Sequence, residues 1–196
     1  MHRTLALIIL CFGMSILGGL FSSLPAQISR AEATVCDTNQ LPSEIRDRLR
    51  TDFGTWKAQA PDNLSQKARL SWAGKKGTGC PGIALGFFRS ARQTSYAVLL
   101  VPSEHPDAAY RFVVFSPKVE NSAYEELIVE KSDDHGASNF FIQKVPVSKF
   151  FDETSKKKFQ VQTTEAILMI DSAENEYEAD VYFWANNKFQ QEPVDY

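Results

Sequence analysis

The sequence predicts an α+β protein in which an N-terminal pair of helices packs on an antiparallel sheet of about six to eight strands and the chain closes with a hairpin. Three observations carry this. Apolar residues recur every three to four positions as far as Trp72, and from Ile83 onward the period drops to two. Beyond that switch the vocabulary is β-branched and aromatic, and polar or proline-bearing turns punctuate it at short intervals.

The chain has 196 residues, 43% of them hydrophobic, and a formal charge of -3. That suffices for one ordinary core, and the cation excess that a nucleic-acid backbone requires is missing. Residues 1–33 read as an export signal. Leu5 to Leu24 carries no charge, and Ala31 and Ala33 supply small residues where a signal peptidase reads. The uncharged run is 20 residues long, about what a bilayer needs, so a retained anchor is the alternative. Gly18, Gly19 and Pro25 weaken it as a stable span and favour cleavage. Cys11 lies inside this run. The expected organisation is a signal peptide over 1–33 and a single α+β domain over 34–196, periplasmic or secreted, with membrane contact only through the N-terminal segment if it is kept. Without residues 1–33 the chain has 19 cations and 23 anions, a net charge of -4. Two cysteines remain, Cys36 and Cys80, and an even count in an exported protein argues for a disulfide between them.

Ile45, Leu49, Phe53 and Trp56 lie on one side of a helix predicted over Leu41 to Lys57, with Arg46, Asp47, Arg48 and Arg50 largely opposite. A second helix follows an Asp62 or Asn63 cap and carries Leu64, Ala68 and Trp72 at steps of four. The segment Gly77 to Gly82 (GTGCPG) lacks the ending of a phosphate loop and precedes a strand, so it reads as a tight connection that brings Cys80 into place. Successive strands are expected at Ile83 to Phe88, Tyr96 to Val101, Tyr110 to Phe115 and Tyr124 to Lys131, the last nearer an edge because its charges alternate. A short apolar piece, Phe140 to Val145, leads to a third helix capped by Ser148. Phe159, Val161 and Thr163 alternate with polar residues as a half-buried strand, and Ala166 to Ile170 continues it or forms its neighbour. Asn186 and Asn187 make the turn of the final hairpin, which places Trp184 opposite Phe189 and Phe183 opposite Gln190.

Candidate chemistry is sparse. His105 and His135 stand thirty residues apart without metal-ligand spacing, so no metal and no cofactor is expected. Asp133, Asp134, His135 and Ser138 contain the groups of a hydrolytic triad but crowd one short loop. The acidic run Asp171 to Asp180 lacks the glycine that a calcium loop uses at its bend. Lys156 to Lys158 fall where Asp152 and Glu153 pair with them and a helix C-terminus favours cations.

Gly86 to Phe88, the strand SYAVLLV (Ser95 to Val101), RFVVF (Arg111 to Phe115), TTEAILMIDS (Thr163 to Ser172) and ADVYFWANNKF (Ala179 to Phe189) together resemble a loose group of small exported bacterial proteins of uncharacterised function, faintly FG-GAP-like. The resemblance implies an Asp-rich, calcium-type turn before the second of these strands. Here that turn is Arg89 to Ser95, which has no carboxylate.

The reading that follows is a non-enzymatic interaction protein of the cell envelope, of inhibitor or immunity type, whose partner is an envelope or secreted protein. The alternative is a hydrolase of envelope glycans or peptides using Asp133, Asp134 and the 171–180 carboxylates. Val181 and Phe183 form an apolar pair among Lys188, Gln190 and Glu192, and are either covered by the third helix or part of a partner-binding surface.

Overall fold

The computed structural model describes residues 36–75, 79–118, 123–173 and 178–196. The expected signal segment, Gly77 and residues 174–177 of the acidic run lie outside the described residues. Among those described, three α-helices and nine strands build an α+β fold with two antiparallel sheets.

The first helix, α1 (Ser43–Asp52), begins after Pro42 and has Glu44 in its first turn, where an anion suits the helix N-terminus. It stops earlier than its periodicity predicts. The Phe53 amide closes the helix on Leu49 O at 3.0 Å, and after Gly54 and Thr55 the chain enters β1 (Trp56–Ala58). Trp56 therefore joins the stripe of Ile45, Leu49 and Phe53 from a strand, since the apolar spacing records which residues meet one face and not whether the backbone stays helical. Asp62 and Asn63 sit in a 3-10 turn, and Ser65 caps α2 (Gln66–Gly74) by accepting the Ala68 amide at 3.2 Å.

The first sheet is an antiparallel meander of β2 (Ile83–Ser90), β3 (Gln93–Pro102), β4 (Tyr110–Pro117) and β5 (Tyr124–Ser132), with β5 at its edge. β1 and β2 share the other side of β3 end to end: Trp56 faces Pro102 and Ala58 faces Leu100, while Ile83 faces Val98 and Gly86 faces Ser95. The second sheet runs β6 (Phe140–Pro146), β7 (Glu165–Asp171), β8 (Glu178–Ala185) and β9 (Lys188–Asp195) in chain order. The last pair is the expected hairpin, residue for residue: Trp184 faces Phe189 and Phe183 faces Gln190, with Asn186 and Asn187 at φ 53° and 59°. Those left-handed angles cost asparagine little, which is why this turn was readable.

The sheets stack face to face over Ala84, Phe88, Leu99, Phe112, Val114, Ile142, Ile167, Met169 and Tyr182. The two N-terminal helices then part. α1 covers the outer face of the first sheet at Val98, Leu100, Val113 and Phe115, and α2 covers the outer face of the second together with the Val147–Phe159 segment. The order is helix, sheet, sheet, helix, and three apolar clusters fill the three spaces. That is why β3 and β7 are apolar at almost every position: each is buried on both faces.

Two expectations after β6 are corrected. Ser148 lies in a 3-10 turn (Val147–Lys149), and the cap of α3 (Glu153–Phe159) is Asp152, whose Oδ1 accepts the Ser155 amide at 2.7 Å. That amide holds the Asp152 carboxyl below its usual range. The strand over 159–163 does not form. Phe159 ends α3, Gln160 turns left-handed at φ 55°, and Val161 makes one isolated bridge to Ala185. The alternation there is one of exposure: Phe159 and Val161 pack inward while Gln160 and Gln162 face solvent.

Candidate functional site

Cys36 and Cys80 are bonded, with their Cα atoms 4.8 Å apart. The bridge joins the start of the described chain to the entry of β2. The connection is tight, because a Cβ on Gly82 would stand 2.5 Å from Gln59 O. Such a bond fits an extracytoplasmic protein, and among the described residues no helix is long and apolar enough to cross a membrane.

Val181 and Phe183 are not a surface. Both are fully buried, and the Phe183 ring packs edge-on against Phe151 at 4.8 Å and Phe159 at 6.0 Å. The polar neighbours Lys188, Gln190 and Glu192 gave the pair the look of a rim, but β9 is an edge strand whose side chains reach solvent while the β8 residues beside them do not. A partner-binding role for Val181 and Phe183 is therefore withdrawn.

One end of the sandwich gathers the loops after β3 and β5 and the end of β7. Ser132 Oγ stands 2.8 Å from His135 Nδ1, and Asp134 Oδ1 lies 2.9 Å from that same nitrogen. A proton relay needs the nucleophile on one imidazole nitrogen and the carboxylate on the other, so a hydroxyl and a carboxylate that both converge on Nδ1 do not make one. Ser132 Oγ also accepts the His135 amide at 3.2 Å, which makes the cluster a folded turn. Its hydroxyl and the imidazole hold the Asp134 carboxyl below its usual range. Ser138 stands apart, its carbonyl taking the Ser65 amide at 2.7 Å. Asp133 pairs with Arg111, and Asp171 Oδ1 accepts the Ala173 amide at 2.8 Å.

Glu130 on β5 is the polar centre between the sheets. Its two carboxylate oxygens accept the hydroxyls of Tyr110 from the neighbouring strand and Tyr182 from the opposite sheet. Burial and the Glu130 carboxylate push both phenols well above their usual range. Burial raises the nearby Asp180 carboxyl as well, against a hydrogen bond from Gln191, and the Glu130 charge adds to the rise. With both oxygens filled by phenols, this carboxylate ties one sheet to the other. Carboxylates also line an open groove along α1, but Asp47 is paired with Arg50 at 2.8 Å and Glu44 with Arg48 at 3.6 Å.

At the other end lie the turns β2–β3 and β8–β9, with the end of β4 and the start of β5. Arg89 pairs with Glu125 and stacks over the Trp184 ring at 4.8 Å. Arg92, Lys118 and Lys188, in or beside these turns, are exposed. On the outer face of β2, Leu85 is 48% and Phe87 38% exposed. The alternation is sharp, since Ala84 and Phe88 face the inter-sheet core at 4% and 0%. A Cβ on Gly86 would stand 2.8 Å from Glu165 Oε2, the carboxylate that accepts the Phe87 amide at 2.7 Å. Beside Leu85, Tyr96 makes an edge-on contact with Tyr124 at 5.7 Å. Sequence reading missed Leu85 and Phe87 because a strand apolar on both faces reads as buried on both. The available signal was Ala84 and Gly86: small residues on one face mark the side that another layer approaches.

No family model, curated protein or solved structure matches this chain.

Proposed function

We propose that this is an exported, non-catalytic binding protein, periplasmic or secreted, which engages its partner through the outer face of β2 and the turns beside it. The observation that carries the reading is the pair Leu85 and Phe87, large apolar side chains left in solvent on a strand whose other face is fully buried. The polar groups support it from the other side. Glu130, Tyr110 and Tyr182 satisfy one another within the sandwich, and Ser132, Asp134 and His135 satisfy one another within a turn. An inhibitor or immunity-type role is the form of binding that suits such a domain. The test is capture from envelope extract with the wild-type protein, a Leu85→Ser/Phe87→Ser variant and an Asp133→Ser variant. Capture falls for the first variant alone, at an unchanged melting temperature. Equal capture by all three contradicts the reading.

A further inference from the structure

We propose that the outer edge of β5 takes an extended segment of a partner protein as an added antiparallel strand, one that sets a lysine or arginine opposite Glu126 and an apolar side chain opposite Ile128. The site is separate from the β2 surface, since β5 closes the other side of the first sheet.

The free edge follows from the ladder. The Lys118 amide bonds Ala123 O at 2.7 Å, and pairing alternates from there: Glu125 and Leu127 bond β4, while Tyr124, Glu126 and Ile128 turn their N–H and C=O groups outward. Glu44 Oε1 accepts the Tyr124 amide at 3.1 Å, and a bulge at Val129 ends the regular ladder after Ile128. Between these limits the outward groups of Glu126 and Ile128 meet no partner among the described residues.

The other edges are closed. β1 is three residues long. On β2 the Phe87 amide is taken by Glu165 Oε2 at 2.7 Å, and the entry to β2 is tied to the β6 edge, where the Ile142 amide bonds Pro81 O at 2.8 Å. On β9 the two-residue turn makes Lys188 and Ala185 a hydrogen-bonded pair, so Pro193 falls on the outward side, where it offers no N–H. Proline at such a position blunts an edge, and β5 has none.

The side chains define the occupant. Glu126 and Ile128 sit opposite Phe115 and Val113, on the face that carries α1, and Ile128 is 54% exposed. Burial and the Asp52 charge raise the Glu126 carboxyl, against Arg48. Arg48 is shared with Glu44 at 3.6 Å, Arg50 is held by Asp47 at 2.8 Å, Arg89 by Glu125 and Arg111 by Asp133. Lys118 and Lys131 lie past the two ends of the open stretch, Glu130 is held by Tyr110 and Tyr182, and Glu120 lies outside the described residues. A further cation beside Glu126 and Asp52 is therefore what this stretch accepts, and unlike charges directly opposed stabilise a strand pair. A second copy does not supply it. The two-fold antiparallel registers that use these groups set Glu126 against Glu126, Ile128 or Glu130 of the copy, a carboxylate or an apolar side chain each time.

Titration of the isotope-labelled, disulfide-intact exported protein with the peptide acetyl-Thr-Lys-Thr-Ile-Thr-amide, followed by amide shifts in NMR, tests this. Shifts concentrate at Glu126 to Ile128. The same peptide with glutamate in place of lysine binds about tenfold more weakly, and Glu126→Lys inverts that preference. N-methylation of the peptide's lysine or isoleucine amide, which faces β5, removes binding, while N-methylation of its central threonine, which faces away, leaves it. An absence of shifts with millimolar lysine peptide overturns the proposal. So does equal binding of the lysine and glutamate peptides, or a dimer in sedimentation that Ile128→Asp dissolves, which gives the edge to a second copy.

Discussion

Tyr182→Phe removes one oxygen from the tie between the two sheets. Tyr182 is 1% exposed, and its hydroxyl donates to Glu130 Oε2 while that of Tyr110, 3% exposed, donates to Oε1. A hydrogen bond to a charged group contributes about 1.5–3 kcal/mol. Glu130 is only half-buried, so water can reach the vacated oxygen, and the lower figure, about 1.5 kcal/mol, is the one to expect. Glu130→Ala strands two buried phenols at about 1–3 kcal/mol each, or roughly 3–4 kcal/mol together. In a domain of this size 1 kcal/mol moves the melting temperature by about 2–4 °C, so calorimetry and urea unfolding of the disulfide-intact protein resolve both losses. In the Glu130→Ala background Tyr182→Phe costs little, leaving a coupling of about 1–2 kcal/mol in the double-mutant cycle. The sign of the pH dependence follows from the raised phenols. Their contribution is complete below the ordinary tyrosine value of 10.0 and is lost as pH rises beyond it, where the unfolded chain ionises and the folded one resists. Wild-type stability therefore declines more steeply above about pH 10 than that of Tyr110→Phe/Tyr182→Phe. Additive substitutions, or a Tyr182→Phe cost below about 0.5 kcal/mol, refute the tie.

Phe183→Asp places a carboxylate among Phe151, Phe159 and Val181 with no partner, and costs at least about 4 kcal/mol from lost burial and desolvation together; the variant is unfolded or nearly so by circular dichroism. A folded Phe183→Asp protein contradicts the packing of α3 on β8. Asp180→Asn raises the melting temperature at neutral pH, because the folded state raises the Asp180 carboxyl and so gives up stability when it ionises; the gain disappears in acid, where both states are protonated. A lower melting temperature at neutral pH makes the Gln191 hydrogen bond the dominant influence. Replacing Cys36 and Cys80 by serine frees a loop of 44 residues and costs about 4 kcal/mol in the chain-entropy picture, read from urea midpoints. A loss below about 1 kcal/mol shows that the N-terminal helices hold the chain without it.

How much the sequence disclosed depended on whether one residue's chemistry decided the local geometry. Asn186 and Asn187 accept left-handed angles, and the hairpin followed with its register. The disulfide followed from an even cysteine count. Gln160 has no such signature: its left-handed turn is imposed by the end of α3, and the alternation of Phe159, Val161 and Thr163 passed for a strand. Layering was less legible still. The periodicity of α1 and α2 shows that each has a buried face, but not that the faces rest on different sheets. For the same reason Val181 and Phe183, set among polar neighbours, left two readings open, cover by the third helix or a partner-binding surface, and the packing on Phe151 and Phe159 is the first of them. The strand Ile83 to Phe88 was legible, but the exposure of Leu85 and Phe87 on one of its faces was not. Glu130 carries no motif at all, since its partners come from strands 20 and 52 residues away.

The claim that the protein works through the β2 surface is tested most directly by site-specific photo-crosslinking in the producing cell. A benzophenone amino acid replaces Phe87 at one end of the sandwich or Asp133 at the other, two exposed positions that leave the fold untouched. The account predicts adducts from position 87 and none above background from position 133. Adducts concentrated at position 133, beside Ser132, Asp134 and His135, would contradict it and place the function at the acidic end.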